Sequence, residues 1–250
     1  MLPYLEWRVI QLGPINLQVW GMFVGLGFLL GAVAAAWLAK RRGQDSKLVF
    51  DILPWLIFAG IVGGRLGHVF FYDWSYFAQH PLEIFAVWQG GASIFGGLIA
   101  CLAVGIWYLR RRQLDVMAYA DTLIFGLPFG LWIGRIGCFL IHDHPGTATD
   151  FVLGVKYPDG IVRHDHGLYL SINGFLMAMT FLWLARKPRP VGLYLAIFAI
   201  WYGVVRFGLD FYRVADTKYA GLTPAQYFCV ALVAAGVGVL VWINKRLKRG

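Results

Sequence analysis

Long apolar stretches separated by short basic clusters constrain this chain more than any other feature of its 250 residues. A bilayer crossing needs about 20 mostly apolar residues. Runs of that size lie at about 17–39, 50–72, 83–109, 115–141, 168–185, 191–212 and 224–243. With 59% hydrophobic and 14% charged residues, the chain is neither a soluble globule nor a disordered polymer. The fold class it predicts is an all-α integral membrane protein of about seven transmembrane helices, forming a single transmembrane domain over residues 1–250.

The net charge of +9 is a statement about orientation. Basic residues gather at Lys40-Arg41-Arg42 with Lys47, at Arg110-Arg111-Arg112, at Arg186-Lys187 with Arg189, and at Lys245-Arg246 with Lys248-Arg249. These clusters follow the first, third, fifth and seventh runs. Placing them in the cytoplasm puts the N-terminus outside and the C-terminus inside. The outward segments are then Met1–Asn16, Asp73–Leu82, a sizeable loop from about His142 to Gly167, and Val214–Thr223. The pattern is one of membrane anchors and gives no sign of nucleic-acid binding. The first run starts too late, and without a preceding basic segment, for a cleaved signal peptide. Cys101, Cys138 and Cys229 lie far apart within apolar runs and read as small buried hydrophobes.

Most of the abundant glycine reads as close helix packing. The exception is Gly90-Gly91-Ala92-Ser93-Ile94-Phe95-Gly96-Gly97, which interrupts the third run strongly enough to suggest an unwound or re-entrant segment lining a cavity. Aromatic residues such as Trp20, Phe70-Phe71-Tyr72, Trp74 and Tyr76 read as an interfacial belt and lipid-facing surface.

Three arginines escape the basic clusters: Arg65, Arg135 and Arg206, the last followed by Asp210 and Arg213. A guanidinium at mid-span costs about 2.5–3.5 kcal/mol by insertion scales, so each needs compensation. Asp210 can pair with Arg206 at i,i+4. Asp73, Glu83 and Asp121 are the other acidic candidates near the spans. A surplus of guanidiniums flanked by glycine suggests an anion, and the anion at hand at that depth is a phospholipid phosphate. His68, one turn beyond Arg65, reads as a buried histidine satisfied by a carbonyl.

Two His-Asp-His triplets, His142-Asp143-His144 and His164-Asp165-His166, mark the ends of the large outward loop. Their one-residue spacing is not a specific metal signature. A general acid or base at the membrane surface is the stronger reading.

Together these motifs resemble the bacterial prolipoprotein diacylglyceryl transferases. The residues that carry the likeness are Trp20-Gly21-Met22, Gly64-Arg65-Leu66-Gly67, the Gly90–Gly97 segment, Gly134-Arg135-Ile136-Gly137-Cys138-Phe139, and Tyr202-Gly203-Val204-Val205-Arg206-Phe207 with Asp210-Phe211-Tyr212-Arg213. The resemblance implies a transferase of the bacterial cytoplasmic (inner) membrane with its site facing the outer leaflet. Such an enzyme moves the diacylglyceryl group of phosphatidylglycerol to the lipobox cysteine thiol of a prolipoprotein signal peptide and releases glycerol phosphate. It implies no metal and no cofactor. By motif, Arg135 corresponds to the arginine at the lipid phosphate, Arg206 to a second essential arginine and Arg65 to a further arginine of the charged cavity. Gly134, Gly137, Asp210 and Arg213 are expected beside them in substrate binding.

Departures are as informative. Phe95 stands where the family commonly has a histidine, Trp20 where it often has a tyrosine and Cys138 where it has an asparagine. The asparagine-glycine-glutamate continuation becomes Ile141-His142-Asp143-His144. The sequence therefore poses His142 or His144 as a replacement base, with Asp143 orienting it. The alternative is a relative that binds anionic lipid or lipoprotein precursor without turning it over. A transporter is disfavoured because no inverted repeat is evident.

Overall fold

Backbone polar groups cannot be left unsatisfied in a bilayer, and the apolar runs answer this by forming helices. A computed structural model of the chain describes residues 1–71, 73–86, 90–214 and 219–248. Tyr72, Arg249 and part of the expected outward segment 214–223 lie outside the described residues.

The helices are α1 (Val19–Arg41), α2 (Lys47–Phe71), a single turn α3 (Trp74–Phe77), α4 (Ile94–Arg111), α5 (Val116–Ile141), α6 (His166–Leu184), α7 (Leu193–Asp210) and α8 (Pro224–Leu247). Among the described residues six of these, α1, α2, α5, α6, α7 and α8, are long and apolar enough to cross a membrane. The third expected run, 83–109, does not form one helix. It begins as a 3-10 turn at Pro81–Phe85, and the helix starts only at Ile94, where Ser93 accepts a hydrogen bond from the Gly96 N–H at 3.3 Å. Gly90 and Gly91, both at positive φ (86° and 74°), are out of the helical region just before it.

The chain divides into two compact units, Met1–Leu38 with Ala120–Gly250, and Ala39–Tyr119. In the second, α2 and α4 pack through glycine. A Cβ on Gly67 would lie 2.8 Å from the Gly96 Cα, and one on Gly97 would lie 3.0 Å from the Gly60 carbonyl oxygen.

In the first unit, α1 meets α5 backbone to backbone. A Cβ on Gly27 would sit 2.7 Å from the Gly130 carbonyl oxygen, and one on Gly31 would sit 2.9 Å from that of Gly126. Two facing small-residue repeats at i,i+4 make this contact, because without a hydrophobic force between helices in lipid, close approach must supply the attraction. Gly167 and Gly174 let α6 approach α5 in the same way, and Gly203 and Gly236 serve α7 and α8. Phe125, Phe129, Met177, Phe181 and Tyr194 form the core between them. Asp121, fully buried in α5, accepts the Leu195 N–H at 2.8 Å, serving an α7 N-terminus whose cap position is Gly192.

The chain is mostly helical, as expected, with short strands added outside the helices. The loop between α5 and α6 forms strands β4 (Pro145–Ala148), β5 (Val155–Lys156) and β6 (Val162–Asp165). With β1 (Leu2–Pro3) they make a four-stranded sheet in the order β1-β5-β6-β4, in which β1 runs parallel to β5. Strands β2 (Val9–Leu12) and β3 (Ile15–Gln18) form a separate hairpin across a Gly13-Pro14 turn, with Gly13 at φ 62°. The segment before α1 is thus tied to the loop: Leu2 N–H donates to the Gly154 carbonyl and Trp7 N–H to that of Leu140, each at 2.8 Å.

Candidate functional site

Each isolated arginine meets a different compensation. In the second unit Arg65 is 5% exposed and spends its guanidinium on backbone. Its Nε donates to the Ile84 carbonyl at 3.0 Å, Nη2 to that of Glu83 at 2.6 Å, and Nη1 to those of Gly90 at 2.6 Å and Gly91 at 3.4 Å. The guanidinium also lies 4.9 Å from the centroid of Phe77. The glycine-broken segment is therefore held by the arginine one helix earlier. A Cβ on Gly91 would come 2.5 Å from His68 Nε2, so that position needs glycine for space as well as for φ. His68 Nε2 lies 3.0 Å from a carboxylate, that of Asp73. Glu83 offers Arg65 its carbonyl, while its side chain accepts the Tyr76 hydroxyl at 2.7 Å.

In the first unit Arg206 is 9% exposed and pairs with Asp210 at 3.0 Å, one turn on. Asp210 is buried, receives the Thr223 hydroxyl on its other oxygen, and has Arg213 Nε at 4.0 Å. Asp210 thus faces two guanidiniums, the nearer being that of Arg206. Thr223 also caps α8, in a reciprocal box with Gln226, whose amide donates to the Phe207 carbonyl at 3.3 Å. The sequence Thr-Pro-Ala-Gln announces that box, a signal sequence reasoning passed over.

Arg135 is the exception. Its guanidinium lies on α5 and its only hydrogen bond among the described residues goes to Cys138 Sγ at 3.8 Å, a long contact to a poor acceptor. A Cβ on the neighbouring Gly134 would meet nothing within 4 Å, so that side of the helix is open. Gly137, in contrast, abuts Phe23 and Trp20 of α1.

The two histidine triplets, 20 residues apart in sequence, lie side by side. Pro145 is in register with Asp165, and the His166 N–H points to the His144 carbonyl at 3.5 Å. Pairing differs from expectation. The carboxylate that orients His142 is Asp165, with Nδ1 to Oδ2 at 2.7 Å, both side chains 1–2% exposed. Asp143 pairs with His144 instead, at 2.6 Å and in contact with water. Asp165 further accepts the Tyr157 hydroxyl at 3.2 Å and, as the α6 cap, the Leu168 N–H at 3.0 Å. Burial and the Asp165 charge together push the Tyr157 hydroxyl well above the usual tyrosine range.

His142 is costly as built. Its buried Nε2 has no hydrogen-bond partner among the described residues, a state worth about 1–3 kcal/mol against folding. Its φ of 48° adds about 1–2 kcal/mol for a residue with a Cβ. His164 accepts or donates at Tyr169 Oη, 2.8 Å away, and burial holds its imidazole below the ordinary histidine range. His166 donates from Nε2 to the Leu209 carbonyl at 2.9 Å, close enough to Arg206 and Arg213 to feel both charges. The sequence marks Asp165 and His166 as members of the second triplet; the capping role of Asp165 was legible too, as an aspartate just before an apolar run. Among the described residues no three His, Cys, Asp or Glu side chains converge as metal ligands would.

Six helices long and apolar enough to cross a membrane among the described residues, packed within each unit through glycine, define a multi-pass membrane protein. The chain belongs to the prolipoprotein diacylglyceryl transferase family, whose model matches residues 8–242. It is 36% identical over 251 residues to the phosphatidylglycerol–prolipoprotein diacylglyceryl transferase of Nitrosospira multiformis, covering 96% of this chain and 87% of that protein. The proteins of the same name from Ectopseudomonas mendocina and Vibrio atlanticus are 34% and 33% identical, each over 98% of this chain and 97% and 93% of their own lengths.

Proposed function

We propose that this chain transfers the diacylglyceryl group of phosphatidylglycerol to the lipobox cysteine of prolipoproteins, releasing glycerol phosphate. It works as one domain crossing the bacterial cytoplasmic membrane about seven times, with the N-terminus outside and the site facing the outer leaflet. The basic residues in the last turns of α1, α4 and α8, and after α6, support that orientation.

Arg135 is the observation that carries the reading. A guanidinium inside an apolar helix with no carboxylate among its described partners is a site waiting for an anion. Arg206, held by Asp210, supplies a second guanidinium, with Arg213 beside the same carboxylate. Together they stabilise the charge that grows on the phosphate as the carbon–oxygen bond breaks. Gly134 leaves room for the headgroup and Gly137 fixes α5 on α1. Arg65 acts at one remove, holding Glu83, Ile84, Gly90 and Gly91 in place. A histidine of the 142–144 triplet takes the thiol proton, since a thiol is a poor nucleophile until ionised.

Purified protein in phosphatidylglycerol vesicles should add the mass of a diacylglyceryl group to a lipobox peptide, and should not do so in phosphatidylcholine vesicles. Phe95, in place of the family's histidine, favours the second reading, a lipid-binding relative without turnover. Peptide or lipid binding with no mass gain would establish that reading instead.

A further inference from the structure

Three unusual features fall on one residue of the outward head. His142 has left-handed backbone, a buried Nε2 with no hydrogen-bond partner among the described residues, and a carboxylate fixed at its other nitrogen. Asp165 is itself held from three directions, by His142, Tyr157 and the Leu168 N–H. With Asp165 accepting the Nδ1 proton, the neutral ring carries its lone pair on Nε2. Unsatisfied buried atoms and strained backbone gather at functional positions, and here they coincide.

What hides the lone pair is an aromatic cover. Tyr4 stacks on the imidazole with ring centroids 4.2 Å apart and planes 21° from parallel. Phe139 and Tyr157 close the edges at 5.2 Å and 5.5 Å. The strap that carries Tyr4 is lightly held. Strand β1 pairs with β5 over two residues, Trp7 N–H makes the next anchor, and residues 5–9 are exposed. Segments with so few buried contacts open at small cost.

We propose that His142, oriented by Asp165, is the group that removes the thiol proton, and that the Tyr4 strap lifts to admit the cysteine. This deepens the transferase reading and rests on it. His144 is the weaker choice because its side chain and that of its partner Asp143 are 38% and 29% exposed, against 1% and 2% for His142 and Asp165, and exposed groups are held less firmly. With the strap raised, the thiol proton passes to Nε2 while Asp165 stays ionised beside the imidazolium. The sulfur bonds to the terminal glycerol carbon as that carbon's bond to the phosphate oxygen breaks, with the electron pair leaving on the phosphate. The proton then moves from Nε2 to that phosphate, glycerol phosphate departs, and the ring is neutral again.

The experiment compares single variants in phosphatidylglycerol vesicles with a lipobox peptide. His142→Ala should lose about 100-fold or more in kcat with vesicle binding intact, and free imidazole should restore at least tenfold of it. His144→Ala should stay within about threefold of the parent. Asp165→Asn, which keeps the α6 cap, should lower kcat about tenfold at unchanged KM for lipid. Full activity in His142→Ala, a loss that imidazole leaves untouched, or an equal loss in His144→Ala would overturn the assignment. Carbethoxylation of His142 by diethyl pyrocarbonate, read by mass spectrometry, tests the strap without any turnover. Tyr4→Ala should react about tenfold faster than the parent, and equal rates would overturn the strap. If the parent protein adds no mass to the peptide, the transferase reading fails and the base assignment with it, while the labelling still decides whether Tyr4 covers His142.

Discussion

Arg65 and Arg135 occupy the same local pattern, Gly-Arg with a second glycine two residues after the arginine, yet the protein treats them in opposite ways. Arg65 is saturated by four backbone carbonyl contacts from the segment 83–91. Arg135 has one long contact to a thiol. The difference teaches that a charge inside a membrane protein is not by itself a binding site. What marks the site is whether the protein has already supplied the counter-groups. On that criterion Arg65 belongs to the architecture, and Arg135 is the position proposed for the ligand.

The contrast can be broken most directly by neutralising each arginine. Arg135→Gln should reduce diacylglyceryl transfer about 10²–10³-fold with thermal unfolding in detergent barely changed, because it has little to release. Arg65→Gln should do the reverse in kind, costing about 3 kcal/mol or more of stability by stranding carbonyls and opening residues 83–91 to proteolysis. A large stability loss in the first variant, or none in the second, would erase the distinction.

A smaller effect is expected at Gly91→Ala, where the added carbon collides with His68 at a φ of 74°. The cost should be about 2 kcal/mol, seen as a lower melting temperature, and Arg135 function should suffer less than in Arg135→Gln. The smallest effect is a pH dependence on the sheet side. Burial holds the His164 pKa below its ordinary value of 6.5, so the unfolded chain binds the proton more readily than the fold does. Its contribution is therefore constant above pH 6.5 and falls as the pH drops below it. Melting curves between pH 7.5 and 5 should show a shallower decline in His164→Gln than in the parent.

Much of this was readable from residues alone. Apolar runs set the helices because the bilayer forbids unpaired backbone, and glycine interruption at 90–97 announced the broken third run. The Arg206–Asp210 pair followed from helical spacing. Other features depended on contacts between distant segments, which periodicity does not encode. The two-residue strand β1 finds its partner β5 some 150 residues later, so neither segment looks like a strand in isolation. Asp143, adjacent in sequence, was the obvious partner for His142. The left-handed turn at His142 points the ring away from it and toward Asp165, 23 residues on. Arg65 looked like a free cation because carbonyls, unlike carboxylates, leave no trace in a sequence.

The grip of Arg65 has a consequence for how the protein is made. Its partner carbonyls lie 18–26 residues downstream, so at about 5–20 residues per second of synthesis they follow about 1–5 seconds later. During that interval α2 carries an uncompensated charge that disfavours full release into lipid. The nascent helix should therefore linger beside the insertion machinery until the 83–91 segment emerges, which makes one side chain a checkpoint on the order of membrane insertion.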